Sequence, residues 1–269
     1  MHKQNLHTHT VFCDGKNTVE EMVQKAIELG FDSLGFSGHI YKNYAESSMA
    51  KKDIPAYQAE VRRAQEKYQE QIAIYLGAEY DMFADHDKSA YDYTIGSVHC
   101  LIKDGNIYEM DQDAATVKKI IEENFSGDGL AFAKAYYQIM ATMPSYGKFD
   151  VVGHFDLVNK HCEKQGFFDD ACKAYQDAAL QALYAVVEKQ SLFEVNVGGI
   201  ARGYKSIPYP APFLMKQLKA LGCRLILSSD CHDKNFLDSN FDLGIEYIKS
   251  FGFDELFFFD GKGFVGQKI

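Results

Sequence analysis

Asn5-Leu6-His7-Thr8-His9 closes the first apolar run of the chain, over residues 4–8. Residues two apart on an extended strand project from one face, so His7 and His9 can reach the same ion, and imidazole suits zinc, iron and similar metals. An H-x-H pair alone is common, and two surface histidines near a terminus would read the same way. Repetition gives it weight. Leu34-Gly35-Phe36-Ser37-Gly38-His39, Ile74-Tyr75-Leu76-Gly77-Ala78-Glu79, Ile95-Gly96-Ser97-Val98-His99 and Val151-Val152-Gly153-His154 share one form: an apolar run, a small residue, then a ligand-capable side chain. Leu227-Ser228-Ser229-Asp230-Cys231-His232 ends the series with a D-x-H that has the same period of two. Asp14, in Cys13-Asp14-Gly15, reads alone as a turn residue and counts only beside the others.

Helical patterns separate these runs. Thr18 with Glu21 forms a capping box ahead of Val19, Met22, Val23, Ala26 and Ile27, which keep a 3.6-residue period until Gly30. Further helices are expected from Pro55 to about Glu70 and over residues 111–124, 130–143, 171–189, 212–221 and 241–251. Strands are expected at 33–36, 72–77, 93–98, 149–153, 191–197, 223–228 and 256–259. Strands alternating with helices imply parallel pairing with right-handed crossovers. Seven or eight such units favour a closed or nearly closed α/β barrel, whose active site lies at the C-terminal ends of its strands. The polar, Ser-rich segment 41–53 reads as a loop over the barrel mouth. No linker or repeat divides the chain, so residues 1–269 are expected to form a single domain.

Composition agrees with a globular protein. The 269 residues are 46% apolar and 25% charged, which excludes disordered and fibrous classes. Asp and Glu number 38 against 28 Lys and Arg, a balance of −10 that argues against a polyanion such as DNA as partner. No apolar run reaches the length of a membrane helix, the first residues lack a signal-peptide core, and six scattered cysteines without a C-x-x-C pair point to a reducing cytoplasm. Nothing in the sequence sets an oligomeric state.

Nine residues make up the candidate site: His7, His9, Asp14, His39, Glu79, His99, His154, Asp230 and His232. One tetrahedral ion takes at most four protein ligands, so nine suggest two or three divalent ions (zinc, iron or manganese) with one carboxylate bridging, and Glu79 is the natural bridge. His2, His86 and His161 fall outside the strand-end pattern. Cys100 and Cys231, beside ligand positions, are expected to face away and pack.

These ordered motifs, spanning residues 7 to 232, resemble the PHP (polymerase and histidinol phosphatase) superfamily. The length and the Asp14-Gly15 placement look like its stand-alone histidinol-phosphate phosphatases, as does Asn196-Val197-Gly198-Gly199-Ile200-Ala201-Arg202 followed by Tyr209-Pro210. The resemblance implies a distorted (β/α)7 barrel with a trinuclear site. By that pattern His7, His9, Glu79 and Asp230 hold a first ion, Glu79, His99 and His154 a second, and Asp14, His39 and His232 a third.

The implied reaction is hydrolysis of L-histidinol phosphate to L-histidinol and phosphate, a step of histidine biosynthesis, by a hydroxide bridging two ions. Glu79, Asp230 and Arg202 are the expected catalytic residues. Arg202 would bind the phosphate, because its planar fork matches two oxygens at once. Asp230 or a metal-bound water would protonate the leaving alkoxide. Tyr41, Tyr44, Glu46 and Tyr204 are loop candidates for the substrate's imidazole and amine. Three alternatives stay open: a PHP phosphoesterase acting on another small phosphate ester or a nucleotide, a metal-dependent amide or C–N hydrolase, and a non-catalytic scaffold.

Overall fold

The protein is described by a computed structural model over residues 2–40, 47–84 and 87–269. Seven parallel strands form its central sheet: β1 (Gln4–Asn5), β2 (Ser33–Phe36), β3 (Ala73–Asp81), β4 (Tyr93–Ser97), β7 (Val151–Val152), β8 (Leu192–Asn196) and β9 (Arg224–Ser228), paired in that order. Between β4 and β7 stands an antiparallel hairpin, β5 (Cys100–Lys103) and β6 (Asn106–Glu109). The sheet curls until its edges meet. A parallel bridge joins Thr8 to Cys231, with the His9 N–H donating to the Cys231 carbonyl at 2.8 Å and the Cys231 N–H to the His7 carbonyl at 3.0 Å. This is the (β/α)7 barrel that the order of motifs implied.

Helices cover the outside. Phe36, Leu34, Ile74 and Leu76 point outward into one apolar cluster with Val19, Val23 and Tyr57. Val152, Phe193, Val195 and Leu225 point into a larger one with Phe132, Tyr136 and Leu183. The alternate residues face the barrel axis, where Leu6, Tyr93, Ile95, Val151, Leu192 and Ile226 make a small interior core. Tyr93 fills most of that space. A Cβ added at Gly77 would lie 2.2 Å from its ring, and one at Gly35 2.3 Å from its hydroxyl, so both neighbouring strands need glycine there.

The expected elements are present with ends shifted by a few residues. The helix Val19–Glu28 has the capping box of Thr18 and Glu21, and Gly30 follows with φ 69°. One expectation is corrected. The last apolar run, read as one more strand of the alternating series, is β10 (Glu255–Phe259), which pairs antiparallel with β11 (Phe264–Lys268) outside the barrel sheet. A short apolar run carries no mark of its pairing partner, and here a tight turn folds the chain back, with Asp260 N–H bonded to the Gly263 carbonyl. The hairpin closes the lower end of the barrel: Phe259, Phe257 and Phe264 join the interior core, and Gln4 exchanges two side-chain hydrogen bonds with the Phe259 backbone. Polar groups are thereby left to the upper end.

Candidate active site

All nine sequence-selected residues converge at the upper, C-terminal end of the barrel. Thr8 and Cys231 form the closing bridge, so the residues flanking each turn to the same side: His7 and His9 from one strand end, Asp230 and His232 from the other. Cys231 itself packs into the outer cluster with Phe36 and Leu76. Glu79 lies two residues beyond Gly77 on the inner face of β3, and a parallel bridge sets His39 beside it. His99 follows β4 and His154 follows β7.

Glu79 is the centre of the group. One carboxylate oxygen, Oε1, lies 3.1 Å from His154 Nε2 and 3.3 Å from His99 Nε2. The other, Oε2, lies 3.1 Å from His7 Nε2, 3.6 Å from His9 Nε2 and 2.9 Å from His39 Nδ1. Asp230 Oδ1 approaches His9 Nε2 at 3.3 Å and His7 Nε2 at 3.5 Å. On the far side Asp14 Oδ2 lies 3.3 Å from His232 Nε2 and 3.6 Å from His39 Nε2. His9 turns its Nδ1 towards this second carboxylate, 3.6 Å from Asp14 Oδ1, and so stands between the two groups. Such spacing gives several three- and four-residue sets with ligand atoms close enough for one ion each: His7, His9 and Asp230; His7, Glu79 and His154; His39, Glu79 and His99; and His9, Asp14, His39 and His232.

The donor set fits metal. His7 Nε2, His9 Nε2 and Glu79 Oε2 are fully buried, and among the described residues no hydrogen bond satisfies them. Unpaired buried polar atoms are costly, and three converging on one point are accounted for by a cation. The charges point the same way. Burial alone would raise the Glu79 carboxyl, but His7, His39 and His99 outweigh it and hold the group well below its ordinary range. Burial is outweighed likewise at Asp230, by Arg202 and then His7, and the carboxyl stays ionised. Burial, with His232 and His39 adding to it, lowers His9 to about 3, so its imidazole is neutral and one ring nitrogen offers a lone pair.

The site is deep at its centre and open on one side. His7, His9 and Glu79 are buried, whereas Asp14, His232 and Arg202 form the accessible lip. Arg202 is not free in this arrangement. Its Nη1 donates to the Asp230 carbonyl at 2.7 Å and its Nη2 to Asp230 Oδ2 at 2.9 Å. This clamp holds Asp230 at φ 48°, a left-handed conformation that aspartate tolerates better than most residues. Tyr204 lies near the lip, where Lys160 Nζ is 4.7 Å from its ring centre and 2.6 Å from Asp111 Oδ1. Tyr41, Tyr44, Glu46 and His86 lie outside the described residues. In the remainder of the expected mouth loop, Met49 N–H bonds to the His39 carbonyl at 2.9 Å, which brings that loop to the site. His2 bonds Ser33 and His161 bonds the Gln112 carbonyl, both apart from the cluster.

Two carboxylates beside the cluster escaped the sequence reading. Glu194, on the inner face of β8, accepts from His7 Nδ1 at 2.6 Å. Asp81, at the end of β3, accepts from the His99 N–H at 2.8 Å and lies 3.4 Å from His99 Nδ1. The available signal was a charged residue inside an apolar parallel strand, Leu192-Phe193-Glu194-Val195-Asn196-Val197, where a carboxylate must have buried partners.

Fold and side chains together define a barrel protein that holds divalent metal ions at its strand ends. The chain belongs to the PHP domain family, whose model matches residues 5–198. The histidinol-phosphatase of Bacillus subtilis is 26% identical over 86% of this chain and 94% of its own length. Among solved structures, the histidinol phosphate phosphatase of Lactococcus lactis, crystallised with zinc, L-histidinol and phosphate, superposes with a TM-score of 0.72 at 19% identity, covering 98% of this chain and 99% of that one. No helix among the described residues is long and apolar enough to cross a membrane.

Proposed function

We propose that this chain is a metal-dependent phosphomonoesterase that hydrolyses L-histidinol phosphate to L-histidinol and phosphate. The observation that carries the reaction class is the convergence of nine ligand-capable side chains at the barrel's upper end, with buried atoms of His7, His9 and Glu79 at their centre that no hydrogen bond among the described residues satisfies. The near full-length likeness to a histidinol-phosphatase supports the choice of substrate. The reading takes residues 1–269 as one domain. It places the protein in the cytoplasm, which six free cysteines support.

In this reading His7, His9, Glu79 and Asp230 hold one ion, Glu79, His99 and His154 a second, and Asp14, His39 and His232 a third. A bound zinc, iron or manganese ion would supply Lewis acidity there, for activating water and for offsetting phosphoryl charge. Glu79 would contribute to two of these positions, since its carboxylate faces both groups of histidines. Arg202, at the open lip, donates to the phosphoryl group while its clamp holds Asp230 in place. Asp230, kept ionised, serves as ligand and acceptor and is a poor acid for the leaving alkoxide.

The test is phosphate release from L-histidinol phosphate beside a panel of other monoesters, including nucleotides, with metal content measured on the same sample. Strong preference for histidinol phosphate with two or three ions per chain is expected; turnover of other esters alone would move the protein to another substrate. Glu79→Ala should lose metal from two positions and at least about 10³-fold in turnover. Full activity in that variant would overturn the bridging role.

A further inference from the structure

Glu194 has no place in the ligand set, yet it is the most heavily engaged carboxylate beneath the site. It is fully buried on the inner face of β8. Four donors from four parts of the chain meet on its two oxygens. His7 Nδ1 at 2.6 Å and the Ser228 hydroxyl reach Oε1. The His154 backbone N–H at 2.8 Å and Asn196 Nδ2 at 3.0 Å reach Oε2. His7 and His154 are both candidate ligands, and their rings stack with centroids 5.6 Å apart beside Glu79. Asp14, His39 and His232, on the far side of Glu79, make no bond with Glu194 among the described residues.

We propose that Glu194 is a positioning residue that sets two ligands at once. By accepting from Nδ1 of His7 it fixes the tautomer whose other nitrogen, Nε2, carries a lone pair towards Glu79 and Asp230. By accepting from the His154 N–H it fixes the backbone from which that imidazole reaches Glu79 Oε1. A carboxylate at this place offers acceptors only, matching four donors. Glutamine offers one acceptor oxygen and two N–H donors, so it leaves at least one buried donor unpaired and can drive His7 into the opposite tautomer, with its Nε2 protonated and unable to ligate. The consequence is selective: the ion positions built on His7 and His154 depend on Glu194, and the one built on Asp14, His39 and His232 does not. The inference rests on the reading of the cluster as a metal site and is independent of the substrate.

The experiment is zinc titration and zinc content of wild type and Glu194→Gln, with circular dichroism of each to establish folding. Wild type is expected to take up two or three ions. Folded Glu194→Gln should keep one at unchanged affinity and bind the rest about 10- to 100-fold more weakly. Glu194→Asp, which keeps the acceptors, should recover part of the loss. Unchanged stoichiometry and affinity in folded Glu194→Gln would overturn the proposal, as would uniform weakening of every ion. Should Glu194→Gln not fold, long-range nitrogen-15 spectra of zinc-loaded wild type decide: a proton on His7 Nδ1 is expected, and a proton on Nε2 overturns it. Wild type that takes up no zinc would overturn the metal reading itself, a result distinct from failure of the Glu194 role.

Discussion

Arg202 and Asp230 show how far single residues could be read in advance. Arg202 was expected at the phosphate, and it lies at the open lip, but its guanidinium already grips the carbonyl and carboxylate of Asp230. It therefore joins ligand geometry to anion binding, which a one-dimensional motif cannot show. Lysine would preserve the charge and lose the fork, because an ammonium is a point donor. Arg202→Lys is expected to lower kcat/KM by about 10²-fold and to weaken zinc retention at the position that uses Asp230. Steady-state kinetics with metal analysis checks this, and an unchanged kcat/KM would remove the fork from the argument. Eight of the nine ligand candidates were legible because they end apolar runs, and Asp14, a turn residue, counted only beside them. Glu194 and Asp81 were not singled out, because their roles depend on partners that only folding brings near: 187 residues separate Glu194 from His7.

At the scale of elements, short apolar runs alternating with helical patterns of 3.6-residue period carried most of the architecture. Strand ends were less legible: β1 covers only Gln4–Asn5, and His7 and His9 project from the bridge beyond it. The hairpin of β5 and β6 was missed although Asp104-Gly105 sits at its turn, with φ 51° and 79°. Glycine placement ties elements to the site. Gly77→Ala would press a methyl into Tyr93, two residues before Glu79, and should destabilise the fold by about 1–3 kcal/mol in denaturant unfolding while weakening zinc binding. The capping box gives a pH test. Bonds from Lys234, then the Thr18 backbone and hydroxyl, hold the Glu21 carboxyl at about 2, against an ordinary 4.5. A depressed acid stabilises the fold above its unfolded pKa, and that stability is lost as pH falls from 4.5 towards 2. The Tm difference between wild type and Glu21→Gln should thus be present near neutral pH and shrink through this window, since glutamine keeps the cap and loses the charge. A difference constant with pH would contradict it.

The two ends of the barrel divide the molecule's thermodynamics. Below, Phe259 fills the interior among Tyr75, Tyr93 and Phe264. Above, buried imidazoles and carboxylates crowd together at a cost that bound cations offset. Binding to the folded state alone adds stability of RT ln(1 + [L]/Kd), about 2.7 kcal/mol per site at a hundredfold excess over Kd. Zinc-loaded protein should therefore melt well above chelated protein. Phe259→Ala should cost about 3–5 kcal/mol through the cavity it leaves. Phe259 and Gly77 pack on the same Tyr93 ring, so the two ends add independently only while that ring holds its place; Phe259→Ala should then lower stability equally with and without zinc and leave the zinc increment unchanged. Thermal and denaturant unfolding of both proteins, loaded and chelated, makes the comparison. An increment that shrinks in Phe259→Ala would mean that the lower plug helps shape the metal site, and that the barrel behaves as one coupled unit rather than as a stabilising base beneath a functional rim.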